Sequence, residues 1–276
     1  NVEATDDGCS ASPSISVVDT VTGGRSSIGV DYTVPVGDLR SEIMGGLAEL
    51  EEELESVYDP IVDVALDHVH QEETILALGE SPFVSRFLIA AARKRKFHVL
   101  VAEGEPHLSG QRLAQILSNV PNIGVTLIPD SNLFALMSRV NKVVFSPLAV
   151  SAEGGAICTA GHAMMITAAK QMAVHVICLA ASFMVTPLAG LEQTAILKQL
   201  HCPSLFVGYD EPAAVNLNVE LRVPVSDYVP ADNIDIYLTN NGCHLPASIG
   251  HVMREMYFRE DFNLLEEKEG QSDDKL

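Results

Sequence analysis

Residues 74–102 have the sequence TILALGESPFVSRFLIAAARKRKFHVLVA, in which two short apolar segments flank a helical pattern. Thr74–Leu78 and Phe97–Ala102 are almost continuously apolar, which is typical of strands in a parallel sheet that helices cover on both faces. The residues between them, from about Ser81 to Arg95, have the length of the helix that joins two parallel strands. We therefore interpret residues 74–102 as two neighbouring parallel strands with their crossover helix.

The same alternation of apolar segments and helical patterns continues toward the C-terminus. Further strands are predicted at Val125–Ile128, Lys142–Phe145 and Val174–Ala180. Further helices are predicted at Gly110–Leu117, Leu133–Val140 and Gly161–Ala173. The sequence therefore predicts an α/β fold, with a doubly wound, mostly parallel Rossmann-like sheet, helices on both faces and a short helical segment before it.

The C-terminal part of the chain has weaker patterns. Leu205–Val207 and Leu221–Val225 are candidate additional strands. We interpret Asn233–Thr239 and Pro246–Phe258 as closing helices, since apolar residues in the second recur at helical spacing.

Changes in composition divide the chain into four parts. Residues 1–38 are rich in Ser, Thr, Gly and Asp without a helical period, so we expect a linker or disordered segment there. Residues 39–72 carry apolar residues three and four positions apart, which predicts amphipathic helices. Residues 73–262 are the predicted Rossmann-like domain, and residues 263–276 are an acidic tail.

The chain is strongly acidic, with 17 Lys and Arg against 37 Asp and Glu and a formal net charge of −20. Because nucleic-acid phosphates attract basic surfaces, this balance argues against direct nucleic-acid binding. No apolar run approaches the roughly 18 residues of a membrane span, so no membrane partner is expected. Five widely spaced cysteines and the lack of a secretory signal pattern favour the reducing cytoplasm.

Motifs of the common cofactor and metal sites are missing from the sequence. Gly104 and Gly110 do not form the Gly-x-Gly-x-x-Gly pattern of a dinucleotide site. The Gly-rich loop at Glu153–Gly155 lacks the Gly-Lys-Ser/Thr of a phosphate-binding loop. No Cys-x-x-Cys or His-Glu-x-x-His offers zinc ligands, and no Gly-x-Ser-x-Gly offers a nucleophilic serine. The residues therefore predict no cofactor and no metal site.

Three features each have two interpretations on the sequence alone. Nine carboxylates and no Lys or Arg lie between Glu51 and Glu73, which indicates a solvated helix face or an acidic docking surface. Arg93–Lys96 is either the basic end of a helix or a contact for an acidic partner. Cys158 is either a packed, inert thiol or a thiol activated at a helix N-terminus.

Three stretches of the sequence resemble those of a known protein family. They are AARKRKFHVLVAE at Ala91–Glu103, FALMSRVNKVV at Phe134–Val144, and VSDYVP at Val225–Pro230, which Asn241-Gly242 and Pro246 follow. Over about Asp38–Phe262 the chain is similar to the regulatory subunits of eukaryotic translation initiation factor 2B, and most similar to those of the beta type.

The resemblance implies a non-catalytic, regulatory subunit of a guanine-nucleotide exchange factor in the cytoplasm. In that family the complex holds two copies of each of five subunits and reloads translation initiation factor 2 with GTP. The implied partners are the alpha, gamma, delta and epsilon subunits, together with initiation factor 2, whose alpha subunit is sensed in its phosphorylated or unphosphorylated form. His98 and Leu100 are candidate interface residues toward delta on the same basis.

The same fold houses sugar-phosphate isomerases, which transfer protons with a cysteine and an aspartate. By motif, these positions are Gly79 and Gly155 here, and glycine can neither accept nor deliver a proton. The resemblance therefore implies no enzyme, and leaves a sugar-phosphate isomerase-like protein or a nucleotide or sugar-phosphate sensor as the alternative. A vestigial ligand pocket would use Ser81, Glu103, Arg112 and Asp130, unless Ser81 only caps a helix and the others only hold loops.

Overall fold

The computed structural model describes residues 39–187, 199–205, 220 and 222–257. The chain divides into two compact units, one formed by Asn1–Glu52 with Met256–Leu276 and the other by Glu53–Glu255. The predicted linker, the acidic tail and the predicted end of the domain at residue 262 lie outside the described residues. The candidate site lies in the second unit.

The described residues contain eleven strands and eight α-helices, numbered here in chain order. The strands are β1 (Thr74–Leu78), β2 (Phe97–Ala102), β3 (Ile123–Ile128), β4 (Lys142–Phe145), β5 (Ala149–Ser151), β6 (Ala156–Thr159), β7 (His175–Leu179), β8 (Val185–Thr186), β9 (Ser226–Val229), β10 (Ile236–Thr239) and β11 (Gly242–His244). The helices are α1 (Leu39–Ser56), α2 (Tyr58–Asp63), α3 (Ala65–His68), α4 (Pro82–Ala92), α5 (Ser109–Ser118), α6 (Leu133–Leu136), α7 (His162–Gln171) and α8 (Ile249–Met256).

Helix α1 confirms the amphipathic pattern predicted from Leu39 onward. Its apolar side chains at Ile43, Met44, Leu47 and Leu54 are each more than half exposed. Pro60 lies in the first turn of α2, where a missing backbone N–H leaves no helical hydrogen bond unmade.

The central sheet has seven strands in the order β11-β10-β7-β4-β1-β2-β3. All neighbouring strands are parallel except β10 and β11. From β1 the chain winds outward through β2 and β3 on one side and through β4, β7 and β10 on the other. This is the strand order of a doubly wound Rossmann-like sheet, which confirms the predicted fold class.

Both faces of the sheet are buried, because alternate side chains of each strand point to opposite sides. On one face Ile75 and Val99 pack in a core with residues of α2, α3, α4 and α5. On the other face Leu76 and Leu100 pack in a second core that includes Leu133 of α6. Burial on both faces explains why β1, β2, β4 and β7 have nearly continuous apolar sequences.

A second, four-stranded sheet in the order β8-β5-β6-β9 was not predicted from the sequence. It contributes Val150, Ala156 and Val229 to the core that contains Leu76. Its tight turn is held to the central sheet by the hydroxyl of Tyr237, which donates to the carbonyl oxygen of Gly154 at 2.8 Å. The Gly-rich loop of the sequence is thus a hairpin turn of this small sheet.

Several predicted elements at the C-terminal end are different in the structure. The prediction of a helix at Asn233–Thr239 is wrong. Ala231–Asn233 form a 3-10 turn, and strand β10 follows. Tyr237 and Leu238 of β10 are fully buried on opposite faces, and burial on both faces requires a strand. The predicted helix at Pro246–Phe258 is confirmed in part, since a 3-10 turn precedes α8 and Phe258 lies outside the described residues.

Two weaker strand predictions also fail where the structure describes them. Leu205 ends a 3-10 turn, and Val207 lies outside the described residues. Pro224 forms only an isolated bridge with Leu200, and Leu221 is not described. The helix predicted from Leu133 to Val140 is shorter than expected, because α6 passes into a 3-10 turn at Met137.

Helix α5 lies close enough to β2 to exclude any side chain at Gly110. A Cβ atom there would lie 1.7 Å from the carbonyl oxygen of Ala102. The backbone N–H of Gly110 also donates to the carbonyl oxygen of Glu103 at 3.0 Å, which fixes the helix to the end of the strand. Glycine at this position therefore sets the distance between the helix and the sheet.

We expect Gly110→Ala to lower the free energy of unfolding by about 2 kcal/mol or more, because strand and helix must separate to admit the methyl group. Urea unfolding followed by circular dichroism measures the change. Gln115→Ala, at an exposed position of the same helix, is the control and should change stability by less than about 0.5 kcal/mol. Equal stability of the two variants would contradict the close approach of α5 and β2.

Candidate functional site

A cavity of about 560 Å³ opens beyond the carboxyl ends of β1 and β4. The chain crosses to opposite sides of the sheet after these two strands, so their ends leave a crevice between the diverging loops. The walls come from the loops after β1, β2 and β4, from Thr159 of the small sheet, and from His201, Pro224 and Val225. The polar members of the wall are Tyr58, Glu80, Ser81, Glu105, His107, Ser109, Ser146, Thr159, His162 and His201.

The loop after β1 brings Ser81 into the wall of this cavity. Gly79 turns the chain with a φ of 74°, a conformation that glycine adopts without strain. Ser81 then precedes α4 in an extended conformation, and Pro82 occupies the first turn of the helix. Ser81 holds the N-cap position and lines the cavity, but its side chain makes no hydrogen bond to the helix and so has no capping role.

The other three predicted pocket residues do not line the cavity. Asp130 accepts hydrogen bonds from the backbone N–H groups of Gly104 and Glu105, at 3.1 and 2.9 Å. Glu103 accepts one from the side-chain amide of Gln111 at 2.7 Å. These carboxylates therefore hold the loop after β2, which was the alternative interpretation of their presence in the sequence.

Arg112 is not a lining residue, but its guanidinium lies 3.4 Å from the carboxylate of Glu80, which is one. Its side chain is 71% exposed, so this ion pair contributes little to stability. The structure thus brings Ser81 and Glu80 to the cavity directly and Arg112 only through Glu80.

His162 is the most buried polar residue of the cavity wall, with 3% of its surface exposed. Its Nδ1 lies 2.9 Å from the carbonyl oxygen of Thr159 and 3.0 Å from the hydroxyl of the same residue. Burial lowers the pKa of His162, so the ring is neutral at pH 7. Sequence reasoning did not select His162 as a site residue, although its place directly after Gly161, at the start of a predicted helix, was a signal that could have identified it.

The two glycines at the isomerase positions have different surroundings. Gly79 lines the cavity, and a Cβ atom there would meet His162 at an ordinary 3.5 Å. Gly155 is not among the lining residues, and a Cβ atom there would lie 2.1 Å from the hydroxyl oxygen of Tyr228. Tyr228 therefore occupies the space that a side chain at residue 155 would need.

The charge of the described cavity wall is acidic. Glu80 and Glu105 contribute carboxylates, whereas no Lys or Arg is among the lining residues in the part of the chain that the structure describes. The wall also contains three imidazoles, which are the side chains of His107, His162 and His201. Such a wall attracts cations more readily than phosphate groups.

The predicted interface residues lie together on β2. His98 is partly exposed, and its Nε2 lies 2.9 Å from the hydroxyl of Thr126 on β3. Leu100 is only 8% exposed and belongs to the core, so it offers little surface to a partner. The accessible surface at this position consists mainly of His98 and the exposed residues of β3, among them Leu127.

The structure shows the surroundings of Cys158 and of the basic cluster Arg93–Lys96. Cys158 is fully buried on β6, and burial raises the pKa of its thiol, which is the environment of an inert cysteine. Arg93–Lys96 follow the C-terminus of α4, as one of the two interpretations expected. Within this cluster the guanidinium of Arg95 donates to the carbonyl oxygen of Val69 and lies 2.7 Å from Nδ1 of His70.

No group of three or more possible metal ligands occurs among the residues that the structure describes. In the same residues, no helix has the length and apolar character needed to cross a membrane.

Comparison with known proteins identifies the family. Residues 17–246 match the model of the "Initiation factor 2 subunit family". This chain belongs to that family. The resemblance of the sequence to the regulatory subunits of initiation factor 2B is thereby confirmed.

Two curated relatives are named translation initiation factor eIF2B subunit beta. The chain is 37% identical to the one from Dictyostelium discoideum, over 84% of this chain and 59% of the relative. It is 33% identical to the one from Schizosaccharomyces pombe, over 81% of this chain and 57% of the relative. The chain therefore spans somewhat less than two thirds of the length of these relatives.

A solved structure gives a similar result. The tetrameric eIF2B beta2-delta2 complex from Chaetomium thermophilum matches with a TM-score of 0.65 and 26% identity. The match covers 87% of this chain and 71% of the matched chain. The family resemblance thus extends from sequence to fold.

We expect the free energy of unfolding to fall as the pH is lowered from 7.5 to 5.5. Burial lowers the pKa values of His162 and His68 in the folded state below the ordinary 6.5. As the pH falls, the unfolded state therefore binds protons before the folded state does, and this proton binding favours unfolding. The buried His162 contributes up to about 1.4 kcal/mol per pH unit, and His68, which is only partly buried, contributes less. Urea unfolding at several pH values measures the slope.

His162→Gln should reduce this slope and leave the part due to His68. His251→Gln, at an exposed position of α8, should keep the full slope. An unchanged slope in His162→Gln would show that His162 is not buried in its neutral form.

Proposed function

We propose that this chain acts as a non-catalytic regulatory subunit of the guanine-nucleotide exchange factor 2B, which reloads translation initiation factor 2 with GTP in the cytoplasm. Its role is to scaffold the complex and to sense the phosphorylation of the substrate's alpha subunit. Family membership and the similarity to beta subunits support this proposal. The proposed partners are the alpha, gamma, delta and epsilon subunits and initiation factor 2.

The observation that carries the scaffold role is an exposed apolar groove between α6 and α7, here called the α6–α7 groove. Its volume is about 560 Å³. Phe134 and Met164 in its wall are 57% and 53% exposed. The other lining residues are Asp130, Ser131, Leu133, Ala163, Thr167, Ala168 and Gln171. Large apolar side chains exposed together on a folded domain are typical of a protein–protein interface.

We assign the delta subunit to the α6–α7 groove. The matched solved structure is a complex of beta with delta, which supports delta as a direct neighbour of a beta-type chain. The groove has little charge, with Asp130 as its one charged lining residue among those described. An interface core of this kind favours a partner with a matching apolar surface, rather than the basic surface that nucleic acid would require.

We expect Met164→Glu to weaken assembly with the delta subunit at least tenfold, because a carboxylate would be desolvated in the apolar contact. Co-purification of the two coexpressed subunits and light scattering measure the assembly. Met172→Glu is the matched control, since Met172 is 42% exposed but does not line the groove.

His98→Asp tests the placement expected from the sequence. If delta binds at the α6–α7 groove, His98→Asp should assemble like the parent chain while Met164→Glu does not. Loss of assembly in His98→Asp alone would instead place delta at β2 and β3. Normal assembly in both variants would contradict both placements.

A sensor of a small molecule is a second candidate function, and the cavity beyond β1 and β4 favours it. Glycines at residues 79 and 155 remove the proton-transfer groups of the related isomerases, so we propose no turnover. The acidic wall, with Glu80 and Glu105, is unfavourable for phosphate groups.

We therefore expect neither turnover nor thermal stabilisation with ribose 1-phosphate at millimolar concentration. A binding ligand raises the melting temperature by mass action, so differential scanning fluorimetry detects it directly. Ribose, which lacks the phosphate, is the matched control ligand. A shift that requires the phosphate would revive the sugar-phosphate sensor, and Ser81→Ala would then test whether the hydroxyl at the cavity wall contributes.

A further inference from the structure

The basic cluster Arg93–Lys96 is the one place in the sequence where Lys or Arg residues are adjacent to each other. It holds four of the 17 Lys and Arg residues of a chain whose formal net charge is −20. Its residues are exposed except for Arg95, which is partly buried. The cluster is therefore a local concentration of positive charge on an acidic chain.

The backbone holds the cluster in a fixed conformation at the end of α4. The N–H groups of Lys94 and Arg95 both donate to the carbonyl oxygen of Ala91, at 3.2 and 3.1 Å. The carbonyl oxygen of Lys96 accepts a hydrogen bond from the N–H of Glu72 at 2.7 Å. Because both ends of this short segment are fixed, a partner does not have to order its backbone on binding.

Three of the four cations have no partner within the described residues. The guanidinium of Arg95 donates to the carbonyl oxygen of Val69 and lies close to the ring of His70. The other three side chains of the cluster form no ion pair or hydrogen bond with the part of the chain that the structure describes. Their charges are therefore available to another molecule.

The position of the cluster at a helix C-terminus does not balance this much charge. The end of a helix carries roughly half a negative elementary charge, and its effect is confined to the last turn. Four cations exceed that charge several-fold. The helix end therefore accommodates the cluster but leaves most of its positive charge uncompensated.

The loop after α5 lies against the cluster and adds no negative charge. The side-chain amide of Asn122 donates to the carbonyl oxygen of Ala92 at 3.1 Å. The N–H of Phe97 donates to the carbonyl oxygen of Asn122 at 3.2 Å. No Asp or Glu occurs between residues 106 and 129. This side of the cluster therefore offers no carboxylate from the loop to compete with an acidic partner.

The segment on the other side carries two carboxylates, at Glu72 and Glu73. Glu73 lies 2.9 Å from the ammonium group of Lys142, so its charge is already balanced. Glu72 is then one negative charge beside three available cations, and the surface keeps a surplus of positive charge.

From these observations we propose that the basic cluster binds a short acidic segment of a partner protein, rich in Asp and Glu. Arg and Lys form charge-assisted hydrogen bonds with carboxylates, and one guanidinium can hold both oxygens of a carboxylate. Exposed charges more than about 8 Å apart are largely screened at physiological salt, so a short segment responds to the cluster rather than to the net charge. A nucleic acid fits less well, because its longer run of phosphates extends beyond the cluster along an acidic chain.

The basic cluster is separate from the α6–α7 groove. Helix α4 packs in the core that contains Ile75 and Val99, whereas α6 packs in the core on the opposite face of the sheet. The two surfaces can therefore be tested independently.

Fluorescence anisotropy of the full chain with a labelled peptide of about ten glutamates tests the proposal at low salt, where exposed charges are least screened. We expect the cluster variant, Arg93→Glu with Lys94→Glu, to bind about tenfold or more weakly, because repulsion replaces two attractive contacts. Arg222→Glu with Arg254→Glu is the matched control variant, since both residues are exposed and the net charge changes equally. Circular dichroism checks that both variants are folded.

A glutamine peptide of the same length should not bind, and raising the salt from about 50 to about 200 mM should weaken binding of the glutamate peptide several-fold. The proposal is overturned if the glutamate peptide does not bind at low salt, or if the cluster and control variants lose affinity equally. Tighter binding of a labelled oligouridylate of the same charge, lost in the cluster variant, would assign the cluster to nucleic acid instead.

Discussion

The parallel pairing of β1 with β4 is the constraint on which the candidate site depends. Leu76 is in register with Val143, and the carboxyl ends of the two strands therefore finish side by side. The chain leaves β1 toward one side of the sheet and β4 toward the other, so no loop crosses the gap between them. The cavity is a direct result of this topology, and its chemistry depends on which side chains the loops happen to carry.

The central sheet could be predicted from the sequence because its strands are buried on both faces. A strand with both faces covered must be apolar throughout, and β1, β2, β4 and β7 show this clearly. The sequence predicts a helix in place of strand β10, because the four residues of the strand follow Asn233-Ile234-Asp235 and share no long apolar run with them. The small sheet was missed for a related reason, since β5 and β8 contain only three and two residues.

The site was harder to predict than the fold, because its residues are brought together by packing rather than by spacing in the sequence. Ser81 follows a strand directly, so its position could be inferred. Asp130 also follows a strand, yet its carboxylate turns to two backbone N–H groups of the neighbouring loop. The contact of His107 with His201 has no counterpart in any local pattern, and neither does the space that Tyr228 occupies beside Gly155.

Strand β3 is the last strand on its side of the described sheet, with Thr126 and Leu127 exposed. The outer edge of such a strand presents backbone N–H and C=O groups to which another extended segment can pair. Pairing of this kind between two chains depends on their concentration, whereas folding of one chain does not. Within the described residues, the same parallel sheet that creates the cavity at its centre therefore ends in an edge to which a second chain could pair as the protein is concentrated.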